Sequence, residues 1–180
     1  ELAESKISMD IKNIIVIDNS NYSSYYSILD DLFKNKELAY ILNINDTNQA
    51  FNNILSINDR NFLSFYSEKD DKCYILNFDL LKDKKEYIKS TLTKFANTSC
   101  EKLGYNIKQD IRFIFTNICD NINNFKYDLL IACYLLDSTR NYKFEGILEE
   151  LFNINLNIKN DAKKQVQLSL FDNQQDLEKI

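Results

Sequence analysis

The order in which two hydrophobic periodicities appear along this chain constrains its fold more than any other feature. Short apolar runs dominate the first half, and helical patterns are interleaved after them. The runs at Ile14–Ile17 and 38–44 predict strands. Between them Tyr26, Leu29 and Phe33 recur at helical spacing and predict an amphipathic helix over 25–33. Residues 61–66 and 73–78 are two further apolar runs, separated by a charged stretch at 68–72 that reads as the solvated turn of a hairpin. Asp79 is a candidate N-cap for a helix over 82–95 that places Tyr87, Ile88, Leu92 and Phe95 on one face. A short strand is expected at 102–105, then helices at 107–115, 127–136 and 144–152. Strands first and helices interleaved later predict an α/β layered domain with a mixed sheet.

Composition narrows the function classes. The 180 residues are 44% hydrophobic and 13% aromatic, enough for a packed core. No stretch approaches the roughly 20 apolar residues of a membrane span. The polar, mixed-charge segment from Glu1 to Asp10 does not read as a signal peptide, so the expected location is the cytoplasm. The cysteines Cys73, Cys100, Cys119 and Cys133 form no CxxC pair and histidine is absent, which argues against a zinc site and for free thiols. No cofactor is implied. A formal net charge of -5 gives no overall attraction for nucleic-acid phosphates, so DNA contact is expected to be weak and local or absent. Two glycines, no proline and abundant Asn, Ile, Lys and Tyr read as a bias toward AT-rich codons, under which Asn replaces Asp wherever charge is dispensable.

The organisation expected is one domain over 1–156, a flexible loop over 157–173, and the start of a helix at 174–180 that breaks off uncapped, as in a piece of a longer protein. Within the loop, Gln167-Leu168-Ser169-Leu170-Phe171 is an isolated apolar cluster in polar surroundings.

The most distinctive segment is Lys102-Leu103-Gly104-Tyr105-Asn106-Ile107-Lys108-Gln109-Asp110. It resembles the second exonuclease motif of bacterial DNA polymerase I, a strand leading into G-x-N-x-K-x-D. Downstream, Tyr127-Asp128-Leu129-Leu130-Ile131-Ala132-Cys133-Tyr134-Leu135-Leu136-Asp137 is similar to the same family's F-D-T-M-L-A-A-Y-L-L-D segment, and Phe144–Phe152 to the helix that follows it. The resemblance implies a ribonuclease-H-like fold. It also implies a proofreading domain that active members use to cleave a 3′-terminal phosphodiester with two metal ions held by four carboxylates. That charge density is required, because divalent cations about 4 Å apart repel each other unless hard oxygen anions surround them.

The residues at the implied positions break that pattern. The family's D-x-E lies on the first core strand, where residues i and i+2 share a face. Here the matching positions are Asn43 and Asn45. Neutral amides seldom hold Mg²⁺ without anionic help. Asp110 matches the third carboxylate, and no Tyr-x-x-x-Asp motif supplies the fourth before Ile180. Asp46 is a substitute only if the strand slips by one residue, which would reverse its face. The expectation is an inactive domain in which Asn43, Asn45 and Asp110 are vestigial and Asp110 serves as a first-turn helix acid. Asn106 and Lys108 are expected to shape the strand-to-helix turn, and Asp128 to cap its helix. The Tyr22–Tyr26 cluster has no interleaved basic residue, so packing is favoured over base stacking.

Gln167 to Phe171 resembles the Q-L-x-L-F peptide by which bacterial replication proteins dock on the sliding clamp; the alternative is an edge strand on the domain's own core. The partners implied are therefore the polymerase domain of the same chain and a sliding clamp. Two other readings stay open: an active exonuclease with a rearranged metal set, and an interaction domain unrelated to polymerases.

Overall fold

The computed structural model describes residues 13–44, 61–139 and 142–152. The first compact unit, Glu1–Ser138, carries a six-stranded mixed sheet in the order β1-β4-β3-β2-β5-β6. Its strands are β1 (Ile14–Ile17), β2 (Glu37–Asn43), β3 (Phe62–Ser67), β4 (Lys72–Asn77), β5 (Glu101–Gly104) and β6 (Phe125–Asp128). Its helices are α1 (Tyr26–Leu32), α2 (Lys85–Asn97), α3 (Ile107–Asn117) and α4 (Leu129–Leu136). α5 (Phe144–Phe152) belongs to the second unit, Thr139–Ile180. The α/β class expected from the sequence holds, and the sheet is that of a ribonuclease-H-like domain.

β3 runs antiparallel to both neighbours, while β1, β4, β2, β5 and β6 are parallel to one another. β3 and β4 form the expected hairpin, with Phe65 opposite Tyr74. β2 alternates cleanly: Leu38, Tyr40 and Leu42 are buried, and Glu37, Ala39 and Ile41 are exposed. That buried face meets Phe33, Phe65 and Phe95, whose rings interlock with centroids 5.2–6.0 Å apart. Phe33 and Phe65 meet edge-to-face and the other two pairs are tilted, geometries that add stability beyond the area buried.

Three departures from the sequence reading have physical causes. Asp79 is not the N-cap of α2, which begins at Lys85. The side chain of Asn77 captures the N–H groups of Asp79 and Leu80, and Leu81 is fully buried, so the chain turns before the helix starts. The region 127–136 is not one helix, because Tyr127 and Asp128 pair with Leu103 and Gly104 of β5. That strand has only four residues, too short to leave a periodicity. The segment 22–25 is a 3₁₀ turn leading into α1. Among the described residues every positive φ falls on Asp or Asn (Asp71, Asn106 and Asn124), the side chains that tolerate this region in a chain with two glycines.

All four cysteines are free thiols; Cys100 and Cys133 are buried, and Cys73 and Cys119 are half-buried. No helix among the described residues is long and apolar enough to cross a membrane.

Candidate nuclease-type site

Parallel strands finish at a common edge, and here β2 ends at Asn43, β5 at Gly104 and β6 at Asp128. Beyond Gly104 the chain turns sharply through Asn106, in the left-handed region at φ 57 and ψ 45, and enters α3. The Asn106 side chain does not cap that helix. Asp128 does so from the next strand. Its Oδ1 accepts from the N–H of Asn106 at 2.9 Å, and its Oδ2 from that of Ile107 at 2.8 Å. Oδ1 also accepts from Leu130 N at 2.9 Å, so the carboxylate caps its own helix α4 as well. The expected N-cap is present and holds two helix starts, where a negative charge is favoured by the dipoles of both.

Asp110 lies in the first turn of α3 on its buried face, with Ile107, Phe113 and Ile114, and is 6% exposed. Its Oδ2 accepts a hydrogen bond from the Tyr40 hydroxyl at 2.8 Å. Tyr40 reaches it across Gly104, whose missing side chain makes room: a Cβ there would stand 2.7 Å from the ring. Burial pushes the Asp110 carboxyl up to about 7; the Tyr40 hydrogen bond holds it back, and the charge of Asp128 adds to the rise. Burial, followed by the charge of Asp110, also raises the Tyr40 hydroxyl far above its ordinary range. Asp110 is therefore more than the first-turn acid expected from the sequence. It is a buried acid tied to the sheet and part-protonated near neutral pH.

Asn43 closes β2 opposite Phe62 of β3. It lies three positions on from Tyr40, so strand alternation assigns the two to opposite faces. Asn45, Asp46 and the segment Gln167, Leu168, Ser169, Leu170 and Phe171 lie outside the described residues. Lys108 is exposed on α3. Among the described residues no group of three Asp, Glu, Cys or His side chains comes together as a metal site. Among the described residues the implied ligand positions offer one buried carboxyl, tied to a tyrosine, and one neutral amide, which does not suit a pair of divalent ions.

Sequence reasoning missed Tyr40 and Lys102. Tyr40 was visible as an inward position of β2, and a buried hydroxyl needs a partner, but nothing in the spacing named Asp110. Lys102 is fully buried in β5. Its Nζ donates to the carbonyls of Asn123 at 2.8 Å, Thr98 at 3.0 Å and Cys100 at 3.2 Å, which uses all three ammonium protons. It also lies 5.1 Å from the ring centroid of Phe125 and 5.5 Å from that of Phe95. Burial lowers its pKa to about 8, with nearby Cys100 opposing the fall. It ties β5 to the loop entering β6 and so supports the strand that carries Gly104.

No protein-family model matches the sequence, and no curated protein is significantly similar to it. Solved structures do match its fold. The Nibbler EXO domain of Aedes aegypti superposes with a TM-score of 0.55 at 12% identity, covering 85% of this chain and 74% of that one. The RNase D of Trypanosoma brucei, solved as a GMP complex, gives a TM-score of 0.53 at 13% identity over 87% of this chain and 46% of the other. The fold is the one shared with these two domains.

Proposed function

We propose that this chain is a 3′–5′ exonuclease-type domain that has lost cleavage and serves as a structural and docking module of a bacterial DNA polymerase I. The observation that carries the loss of cleavage is the Tyr40–Asp110 hydrogen bond of 2.8 Å. The one acid retained from the implied ligand set is turned into the core and paired with a phenol. The strand position that should carry the first acid holds Asn43. The two solved neighbours, an EXO domain and an RNase D, support the nuclease ancestry through fold. The parent polymerase rests on the motifs at 102–110 and 127–137.

Docking is supported by α4, whose Ile131, Tyr134, Leu135 and Leu136 are 54–80% exposed. An exposed apolar helix is the kind of surface a neighbouring domain covers, and the polymerase domain of the same chain is the proposed occupant. The sliding clamp is the second partner, through Gln167 to Phe171.

The test is incubation with labelled single-stranded DNA and Mg²⁺ or Mn²⁺. No shortening from the 3′ end is expected, and specific metal-dependent shortening would overturn the reading in favour of a rearranged site. Coding sequence past Ile180 is expected to enter a polymerase palm. Clamp docking predicts micromolar binding by calorimetry that Leu170→Ala with Phe171→Ala abolishes; an unaltered domain without such binding removes the clamp from the proposal.

A further inference from the structure

A second feature stands at the same edge of the sheet and is independent of the Asp110 site. The 3₁₀ turn after β1 and the turn after β4 follow the carboxyl ends of two neighbouring parallel strands, a place where α/β folds commonly build ligand sites. Between them lies a cleft of about 600 Å³ lined by Tyr22, Tyr26, Tyr87, Lys82, Lys84 and Lys85, with Asp83 and Glu86 also at its border. It is an open surface depression, of the kind that can hold an exposed strand and not an enclosed small molecule.

The tyrosines form one group: Tyr87 packs against Tyr22 at 5.0 Å and against Tyr26 at 4.8 Å. Basic residues absent from the local sequence arrive from elsewhere in the chain. The Lys84 ammonium is 5.4 Å from the Tyr22 ring, and that of Lys94 is 5.5 Å from the Tyr26 ring. Lys94 is neutralised by Asp30 at 2.8 Å. Among the described residues no ion pair holds Lys82, Lys84 or Lys85.

These three lysines gather around the first turn of α2, whose N-cap, Lys84, provides no side-chain cap. Cations are disfavoured there, because the helix end is already positive. Their arrangement matches a negative ligand. Tyr87, at the border of the cleft, is 5% exposed and packs against both other rings.

We propose that this cleft seats a nucleotide of a single-stranded nucleic acid, with the base against Tyr26 and the phosphate on Lys84, Lys85 and the first N–H groups of α2. Aromatic faces give affinity for any base, and cations beside a helix start give affinity for phosphate. Asp83 and Glu86 offset part of the lysine charge, so binding is modest and salt-sensitive. The site needs no metal, and its test is therefore separate from that of the nuclease reading.

The experiment is fluorescence anisotropy of a labelled oligothymidylate with the whole chain in EDTA at about 50 mM salt. Saturable binding that weakens with added salt is expected. Replacing Lys82, Lys84 and Lys85 together by Ala should weaken it about ten-fold or more. Tyr26→Ala should weaken it about five-fold or more, and Tyr26→Phe should leave it near the unaltered value. Melting curves check each variant, and the exposed Lys85→Glu replaces the triple variant if that one does not fold. No saturable binding, or equal binding by the lysine and Tyr26→Ala variants, overturns the proposal. Competition by baseless polyphosphate as strong as by the oligomer overturns the base contact. Thymidine monophosphate competing as tightly as the oligomer overturns the single-strand occupant in favour of a free nucleotide.

Discussion

The Tyr40 hydroxyl and the Asp110 carboxylate meet at 2.8 Å although 70 positions separate them. The bond links β2 to the first turn of α3 in a buried setting, where loss of either partner leaves a polar group unpaired. Tyr40→Phe is expected to cost about 1–3 kcal/mol at pH 8. It should also raise the Asp110 pKa above its present value of about 7, because the lost hydrogen bond favours the ionised form. Carboxyl titration by NMR and urea unfolding check the two effects.

Asp110 has a definite pH signature. The folded protein keeps its proton to about pH 7, whereas the unfolded chain releases it near the ordinary aspartate value of 3.8. The folded state therefore binds more protons between those values, and stability falls as pH rises through that window. Asp110→Asn keeps an acceptor for Tyr40 but does not titrate. Relative to it, the unaltered protein should lose roughly 2–4 kcal/mol between pH 4 and pH 8. Equal pH profiles for the two proteins would refute the buried-acid assignment.

Gly104→Ala places a Cβ 2.7 Å from the Tyr40 ring, a contact that must be relieved by moving the ring. The expected cost is about 1–3 kcal/mol. A double-mutant cycle with Tyr40→Leu should show coupling, since the smaller side chain removes the clash.

Lys102→Met keeps length but removes the donor to three carbonyls, and a loss of about 3 kcal/mol or more is expected. Its sign with pH is opposite to that of Asp110. With a folded pKa lowered from 10.5 to about 8, the unfolded state binds more protons between those values, so stability rises across that range. The Met variant should lack this rise in urea titrations.

Asp128→Ala removes an acceptor from three N–H groups at two helix starts, for an expected cost of about 2 kcal/mol or more. Because the charge of Asp128 helps to raise Asp110, the same change should lower the Asp110 pKa, which an NMR titration reads independently of stability.

The residues that set local structure were legible in the chain itself. The apolar runs of β1 to β4, the helical spacing of Tyr87, Ile88, Leu92 and Phe95, and the cap at Asp128 follow from side-chain periodicity and local hydrogen bonding, which act over a few neighbours. The substitution of amide for acid at Asn43 was equally plain. What only tertiary structure decided were the meetings between distant segments. β6 exists because β5 offers it a pairing edge. Asp110 is a raised, tyrosine-bound acid because Gly104 lets Tyr40 reach it. Lys102 is buried because three backbone carbonyls and two rings converge on it. Lys84 stands beside Tyr22 because the turns after the parallel strands β1 and β4 share an edge. Periodicity carries information along the chain, whereas charge, burial and hydrogen-bond partners depend on which segments the fold brings within a few ångströms.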